Sequence, residues 1–271
     1  MKAFQWLLAA ALVLGGAAAV ALWRPGRHAD QTRAASSPPA AGTEAQAAPL
    51  PPPARLHLRV MTSDAGEDAL LAPGSEAWGK AEPTAIILNR TPRVYQTEPA
   101  TPRPAPALEA RAVRAGGKLF VRLRWEDATR NAPEAPPRWA GEAGVPEVIY
   151  KRPTGETSTF ADAAAVMVPE RWTGPAFPSL VMGDAKNPVR LFYWNASRGA
   201  EEMSATGRAT PKPAGRPFAH RAEYADGHWA LTAALPDVAD GTPVAFAVWD
   251  GAHHDRDGLK FFSVWYVLTG K

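Results

Sequence analysis

Few side chains in this sequence are grouped in a way that could support chemistry. The six histidines stand at 28, 57, 220, 228, 253 and 254, and only the last two are adjacent. Beside them lie Asp250, Asp255 and Asp257. Imidazoles and carboxylates together can hold a metal. This acidic spacing is not that of a calcium loop, however, and neighbouring side chains on extended chain point to opposite sides. The segment is expected to be a solvated loop. The sequence contains no Walker loop, no dinucleotide glycine fingerprint, no Gly-x-Ser-x-Gly and no His-Glu-x-x-His. The nucleotide-binding and hydrolytic classes those motifs signal therefore have no support. There is no cysteine, which excludes disulfides, thiolate zinc, Cys-ligated iron–sulfur clusters, a covalently attached haem and a lipidated anchor.

More distinctive are several ordered blocks. Phe160-Ala161-Asp162-Ala163-Ala164-Ala165-Val166-Met167-Val168-Pro169 comes first, then Leu180-Val181-Met182-Gly183-Asp184-Ala185-Lys186-Asn187-Pro188-Val189 and Tyr193-Trp194-Asn195-Ala196. The last is Pro243-Val244-Ala245-Phe246-Ala247-Val248-Trp249-Asp250-Gly251-Ala252, followed by Asp257-Gly258-Leu259-Lys260 and Phe261-Phe262-Ser263-Val264-Trp265-Tyr266. Two strong strands thus flank a polar loop, and a single lysine opens the second.

These blocks, by order and spacing, resemble the haem-binding γ-subunit family of ethylbenzene dehydrogenase, dimethylsulfide dehydrogenase, selenate reductase and chlorate reductase. The resemblance covers roughly residues 54–271 and is tightest over 160–271. It implies a β-sandwich holding one haem b, with Met182 and Lys260 as axial ligands of the iron. A thioether is a soft ligand that raises a haem potential. An amine binds iron only when deprotonated, so the site must lower the pKa of Lys260 by burial. Met167 and Met203 are rival thioethers; Met167 is expected to be core and Met203 loop. Val168-Pro169 stands where the family often has Phe-Pro, a change expected to reshape the pocket without removing a ligand. Trp194, Trp249, Trp265, Phe261 and Phe262 are expected in the core, with one or two against the porphyrin. Arg190, Arg198 and Arg208 could meet propionates, although surface placement is expected for each.

The elements that must position these residues read as strands. The clearest runs are Leu56–Met61, Thr84–Leu88, Lys118–Trp125, Ala163–Val168, Val189–Trp194, His228–Leu235, Val244–Trp249 and Phe261–Leu268. In Lys118–Trp125, Leu119, Val121, Leu123 and Trp125 alternate with other residues, the period of a half-buried strand. Ala115-Gly116-Gly117, Ala225-Asp226-Gly227 and Ala239-Asp240-Gly241 are turn signals. The 28 prolines fall mostly between the runs, as a sheet requires. An all-β, antiparallel sandwich with long loops at Arg90–Ala107 and Asn131–Thr159 is predicted. A short helical turn is expected around Trp78.

Ahead of this domain, Phe4–Trp23 is a run of 20 uncharged residues behind Lys2, with Arg24 and Arg27 after it. It is long enough to span a bilayer, although Ala19-Val20-Ala21 offers a cleavage site. Residues 1–23 are thus a signal anchor or signal peptide. Residues 24–53, rich in Ala and Pro, form an unstructured tether. Residues 1–53 carry four cations and two acids, leaving about +1 of the chain's +3 on the domain. No clustered basic footprint for nucleic acid remains.

The expected protein is a non-catalytic electron-transfer subunit. It would sit on the periplasmic side of a bacterial inner membrane, tethered by its N-terminal helix or soluble if cleaved. It would relay electrons between a molybdopterin catalytic subunit with its iron–sulfur subunit and a c-type cytochrome or the quinone pool. The alternatives are an export-side β-sandwich binding carbohydrate on aromatic platforms, and a haem-free subunit that docks a protein partner through the long loops.

Overall fold

A computed structural model describes residues 55–91, 103–133, 160–174, 176–208 and 210–270. The N-terminal span, the tether and most of the two predicted long loops lie outside the described residues. No helix among the described residues is long and apolar enough to cross a membrane.

The described chain carries fourteen strands: β1 (Leu56–Thr62), β2 (Thr84–Ile86), β3 (Leu88–Arg90), β4 (Leu108–Ala115), β5 (Lys118–Glu126), β6 (Ala163–Pro169), β7 (Val189–Asn195), β8 (Gly199–Ala205), β9 (Lys212–Pro213), β10 (His220–Ala225), β11 (His228–Leu235), β12 (Pro243–Trp249), β13 (Phe261–Ser263) and β14 (Tyr266–Gly270). Helix α1 (Glu67–Leu71) and a 3-10 turn (Glu76–Trp78) form the predicted helical region.

One sheet runs β10-β11-β5-β4-β1-β14, and the other runs β12-β6-β7-β8-β9. Strand β12 joins them. Pro243 and Val244 pair with β14, whereas Ala245–Trp249 pair with β6. Pairing is antiparallel except at β1, which is parallel to both β14 and β4. That parallel insertion departs from the purely antiparallel expectation. It is a non-local pairing that no turn in the sequence announces.

The main core lies between the sheets. Leu119, Val121, Leu123 and Trp125 of β5 meet Val166 of β6, Phe192 of β7 and Phe246 of β12 there. Complete burial of each such side chain stabilises the fold by about 1.5–3 kcal/mol. Phe120 faces the other way and packs with Val113, Leu70 and Trp78 beneath α1. The β4–β5 hairpin closes through Gly116 and Gly117, both at positive φ (54° and 77°). That is the geometry of a tight two-residue hairpin turn, which glycine adopts without strain.

Two predicted runs are broken. Thr84–Leu88 divides at Ile87, whose N–H donates to the Tyr266 hydroxyl (2.9 Å) instead of a strand partner. Phe261–Leu268 divides at Val264, where the chain passes from β13 to β14. Met203 belongs to buried strand β8, not to a loop. Its Glu- and Ser-rich neighbours concealed the strand.

Candidate functional site

The outer face of the second sheet is apolar and stepped in size. Strand register places Ala245, Met167, Leu191 and Met203 in one row across β12, β6, β7 and β8. The next row is Phe262, Ala247, Ala165 and Tyr193, and the one beyond it is Trp249, Ala163 and Asn195. Four alanines therefore make a flat floor, with Trp249, Tyr193, Trp265 and two methionines rising around it. Tyr193 and Trp249 meet edge to face at 5.6 Å. Burial pushes the Tyr193 hydroxyl up to about 12, so it stays protonated.

Met182 packs against the Met167, Leu191, Met203 and Trp265 end of this face. It sits in a turn at φ 68°, and Gly183 follows at φ 71°. The other non-glycine residues with positive φ among the described residues are Asp226, Asp237, His254 and Asp257. Aspartate and histidine visit that region comparatively often; an unbranched apolar side chain seldom does. The strained backbone at Met182 is the kind found where function dictates conformation. Neighbouring bonds hold it in place. Gly183 donates to the Ser179 carbonyl (2.8 Å), and the Met182 carbonyl accepts from the Gly207 N–H (2.8 Å). A Cβ at Gly183 would lie 2.6 Å from the Asn187 carbonyl, so only glycine fits.

Lys260 approaches the opposite end of the same face. Its Nζ lies 5.2 Å from the Trp249 ring centre and donates to the Asp257 carbonyl at 3.3 Å. Among the described residues it makes no ion pair. Burial lowers its pKa to about 8, partly opposed by the Asp257 charge and aided by Arg208. Arg208 follows Gly207, the residue bonded to the Met182 carbonyl, which ties the methionine turn to the lysine side. The Asp257 carboxyl is itself raised by burial.

The fold thus brings Met182 and Lys260, 78 positions apart in the chain, to one face. Met167 and Met203 line that face as well, both buried in strands. Trp249, Trp265 and Phe262 belong to it, whereas Trp194 and Phe261 point into the core between the sheets. Val168 points into that core and not onto this face. Arg190 is not a surface residue. It is buried, and its Nε donates to Glu202 at 2.7 Å. Arg198 and Arg208 are exposed; the Arg198 charge reaches Tyr193 and the Arg208 charge reaches Lys260.

The segment after β12 is an anchored turn. Asp250 caps the 3-10 turn Gly251–His253 and bonds His253 Nδ1 at 2.6 Å. Neither histidine joins a metal cluster among the described residues. Asp255, with no side-chain exposure, is gripped by both nitrogens of Arg90 (2.6 and 2.8 Å) and by Arg103. Arg103 also pairs with Asp250 at 2.7 Å. Both arginines lie over the Phe261 ring, at 4.9 and 4.7 Å. The two ends of the Arg90–Ala107 loop are therefore pinned to the segment that leads to Lys260. A third feature went unseen in the sequence: Asp127, Asp162 and Asp250 converge at the ends of β5, β6 and β12.

No family model matches the chain. Curated relatives do. It is 30% identical over 240 residues to the chlorate reductase γ subunit of Ideonella dechloratans, covering 84% of this chain and 90% of that one. It is 29% identical over 212 residues to a Haloferax mediterranei protein assigned as a respiratory nitrate reductase haem subunit, covering 74% and 68%. It is 27% identical over 185 residues to the dimethylsulfide dehydrogenase γ subunit of Rhodovulum sulfidophilum, covering 61% of each. Among solved structures, a carbohydrate-binding module of family 9 from Caldicellulosiruptor kristjanssonii aligns with a TM-score of 0.41 at 10% identity, over 79% of this chain and 94% of that one.

Proposed function

Because the chain belongs to the haem-binding γ-subunit family of ethylbenzene dehydrogenase, dimethylsulfide dehydrogenase and the selenate and chlorate reductases, we propose that it is the electron-transfer subunit of a reductase or dehydrogenase complex. It binds one haem b between Met182 and Lys260 and has no substrate turnover of its own. The observation that carries this reading is the alanine floor between those two side chains.

The residues present suit such a group. Ala163, Ala165, Ala245 and Ala247 present only methyl groups, a flat apolar surface for a macrocycle, and Trp249, Tyr193, Phe262 and Trp265 give it apolar walls. The haem, when bound, supplies an iron that alternates between ferrous and ferric states. Everything else falls to the chain. Lys260 offers a lone pair only in its neutral form, and burial has already moved it toward that form. The Asp257 carbonyl accepts an N–H of Lys260 and so aims the amine. The strained Met182 turn presents a soft thioether, which favours the ferrous state. Arg198 and Arg208 at the rim supply positive charge for propionates.

The wider reading follows the family. The partners are a molybdopterin catalytic subunit and an iron–sulfur subunit, with a c-type cytochrome or the quinone pool on the other side. Residues 1–23 hold or deliver the domain at the periplasmic face of the inner membrane, residues 24–53 tether it, and residues 54–271 form the haem domain.

The test is the optical spectrum of the full chain purified from haem-replete cells. A low-spin Soret band is expected, altered in both Met182→Ala and Lys260→Ala. Absence of the band, or a spectrum unchanged in both variants, overturns the proposal, as does specific retention on glycans without haem.

A further inference from the structure

Away from the alanine floor, three carboxylates converge where three strands end. Asp127 follows β5, Asp162 precedes β6 and Asp250 follows β12. Each offers an oxygen to a group of atoms lying within 4.8 Å of one another. Asp127 and Asp162 are buried, at 5% and 0% exposure, and Asp250 is partly exposed.

The charges here do not balance. Arg90 and Arg103 match Asp250 and Asp255 through short ion pairs. Asp127 and Asp162 have no cation paired to them among the described residues. Asp162 is oriented by neutral donors: Asn131 N–H (2.6 Å) and Trp229 Nε1 (3.0 Å) to Oδ2, and Gly251 N–H (2.9 Å) to Oδ1. Asp127 is more exposed to the imbalance. Its Oδ1 accepts from the Thr129 N–H at 3.1 Å, while its Oδ2 is buried with no hydrogen-bond partner. A buried carboxylate oxygen without a donor costs about 1–3 kcal/mol or more. This orphaned oxygen lies in a cluster where two buried carboxylates have no paired cation among the described residues, an arrangement that a bound cation would satisfy.

We propose that Asp127, Asp162 and Asp250 bind one calcium ion. The donors are all oxygen, which selects a hard cation. Calcium takes about six to eight oxygens, several carboxylates and backbone carbonyls among them, in flexible geometry, whereas magnesium keeps most of its water and takes about one or two carboxylates. Three carboxylates gathered from a mostly buried strand-end cluster suit the calcium pattern. Backbone carbonyls and water complete the shell, and the partly exposed Asp250 side is the entry. Bound there, the ion clamps the ends of β5, β6 and β12 and fixes the start of the Asp250–Lys260 segment.

The experiment uses the full chain in detergent, stripped with EGTA, dialysed, and then given 1 mM CaCl2. One calcium per chain is expected by elemental analysis after gel filtration. The melting temperature should rise by about 5–10 °C, the shift for a dissociation constant near 10 μM. Asp127→Asn, which keeps the shape and mimics the protonated acid, should fold with an unchanged circular dichroism spectrum, lose the calcium and lose the shift. A stripped wild-type chain whose melting temperature ignores calcium, with less than a tenth of an equivalent bound, overturns the proposal. So does an Asp127→Asn chain that retains the ion.

Discussion

The Lys260 amine and the Trp249 indole N–H both donate to one acceptor, the Asp257 carbonyl, at 3.3 and 3.1 Å. Asp257 is itself at φ 49°, so its carbonyl is presented by a backbone kink. The lysine is thus held by a neutral dipole and an aromatic face instead of a carboxylate. An amine so placed can be freed of its proton and re-aimed without breaking an ion pair.

That arrangement sets a pH expectation for the haem-free chain. Burial disfavours the charged amine, so the proton leaves Lys260 near pH 8, against 10.5 for an ordinary lysine. At pH 8 its neutral fraction exceeds that of an exposed lysine about 100-fold. Competitive acetylation followed by mass spectrometry should give a midpoint near 8 at Lys260. A midpoint above 10 at Lys260 contradicts the placement.

The alanine floor should not tolerate larger side chains. Ala165→Leu and Ala247→Leu are expected to leave the fold in place, at an overpacking cost of about 1–3 kcal/mol. They should reduce haem per chain at least tenfold, measured by pyridine haemochrome. Full loading in both variants would remove the floor from the site.

Met182 separates stability from ligation. Met182→Gly relieves about 1 kcal/mol of left-handed strain and gives up part of a half-buried side chain. The apo stability in urea is therefore expected to change by less than about 1.5 kcal/mol, while the haem spectrum loses its wild-type form. An unaltered spectrum would point to Met167 or Met203 as the thioether.

The Arg190–Glu202 pair is structural. With side chains 10% and 3% exposed, removing the acid alone in Glu202→Ala strands a buried cation. A loss of about 3–5 kcal/mol is expected from chemical denaturation. Arg190→Met combined with Glu202→Leu should recover most of it. A loss below 1 kcal/mol in the single variant would show the arginine reaching water.

The legible parts of this molecule were those with strong local pattern. The alternation of Leu119, Val121, Leu123 and Trp125 and the Gly116-Gly117 turn predicted β5 and its hairpin. Strand β4 was harder to see because Glu109, Arg111 and Arg114 alternate with alanines, giving little apolar contrast. The parallel seat of β1 depends on partners about 50 and 210 residues away, which no local rule encodes. At the site, motif order suggested Met182 and Lys260, and packing against the Met203 end and over Trp249 then put them along one face. The acidic trio stayed hidden because each aspartate comes from the end of a different strand, and only folding collects them.

The parallel seat of β1 has a mechanical consequence. Five consecutive residues, Leu56 to Val60, pair in step with Tyr266 to Gly270, and Val60 to Thr62 pair with β4 on the other side. A pull arriving through the residues before Arg55 runs along the strand and loads these bonds together, in shear. An antiparallel terminal hairpin pulled at its open end would peel one rung at a time. The domain is thus gripped by its first strand in the geometry best able to bear an axial pull.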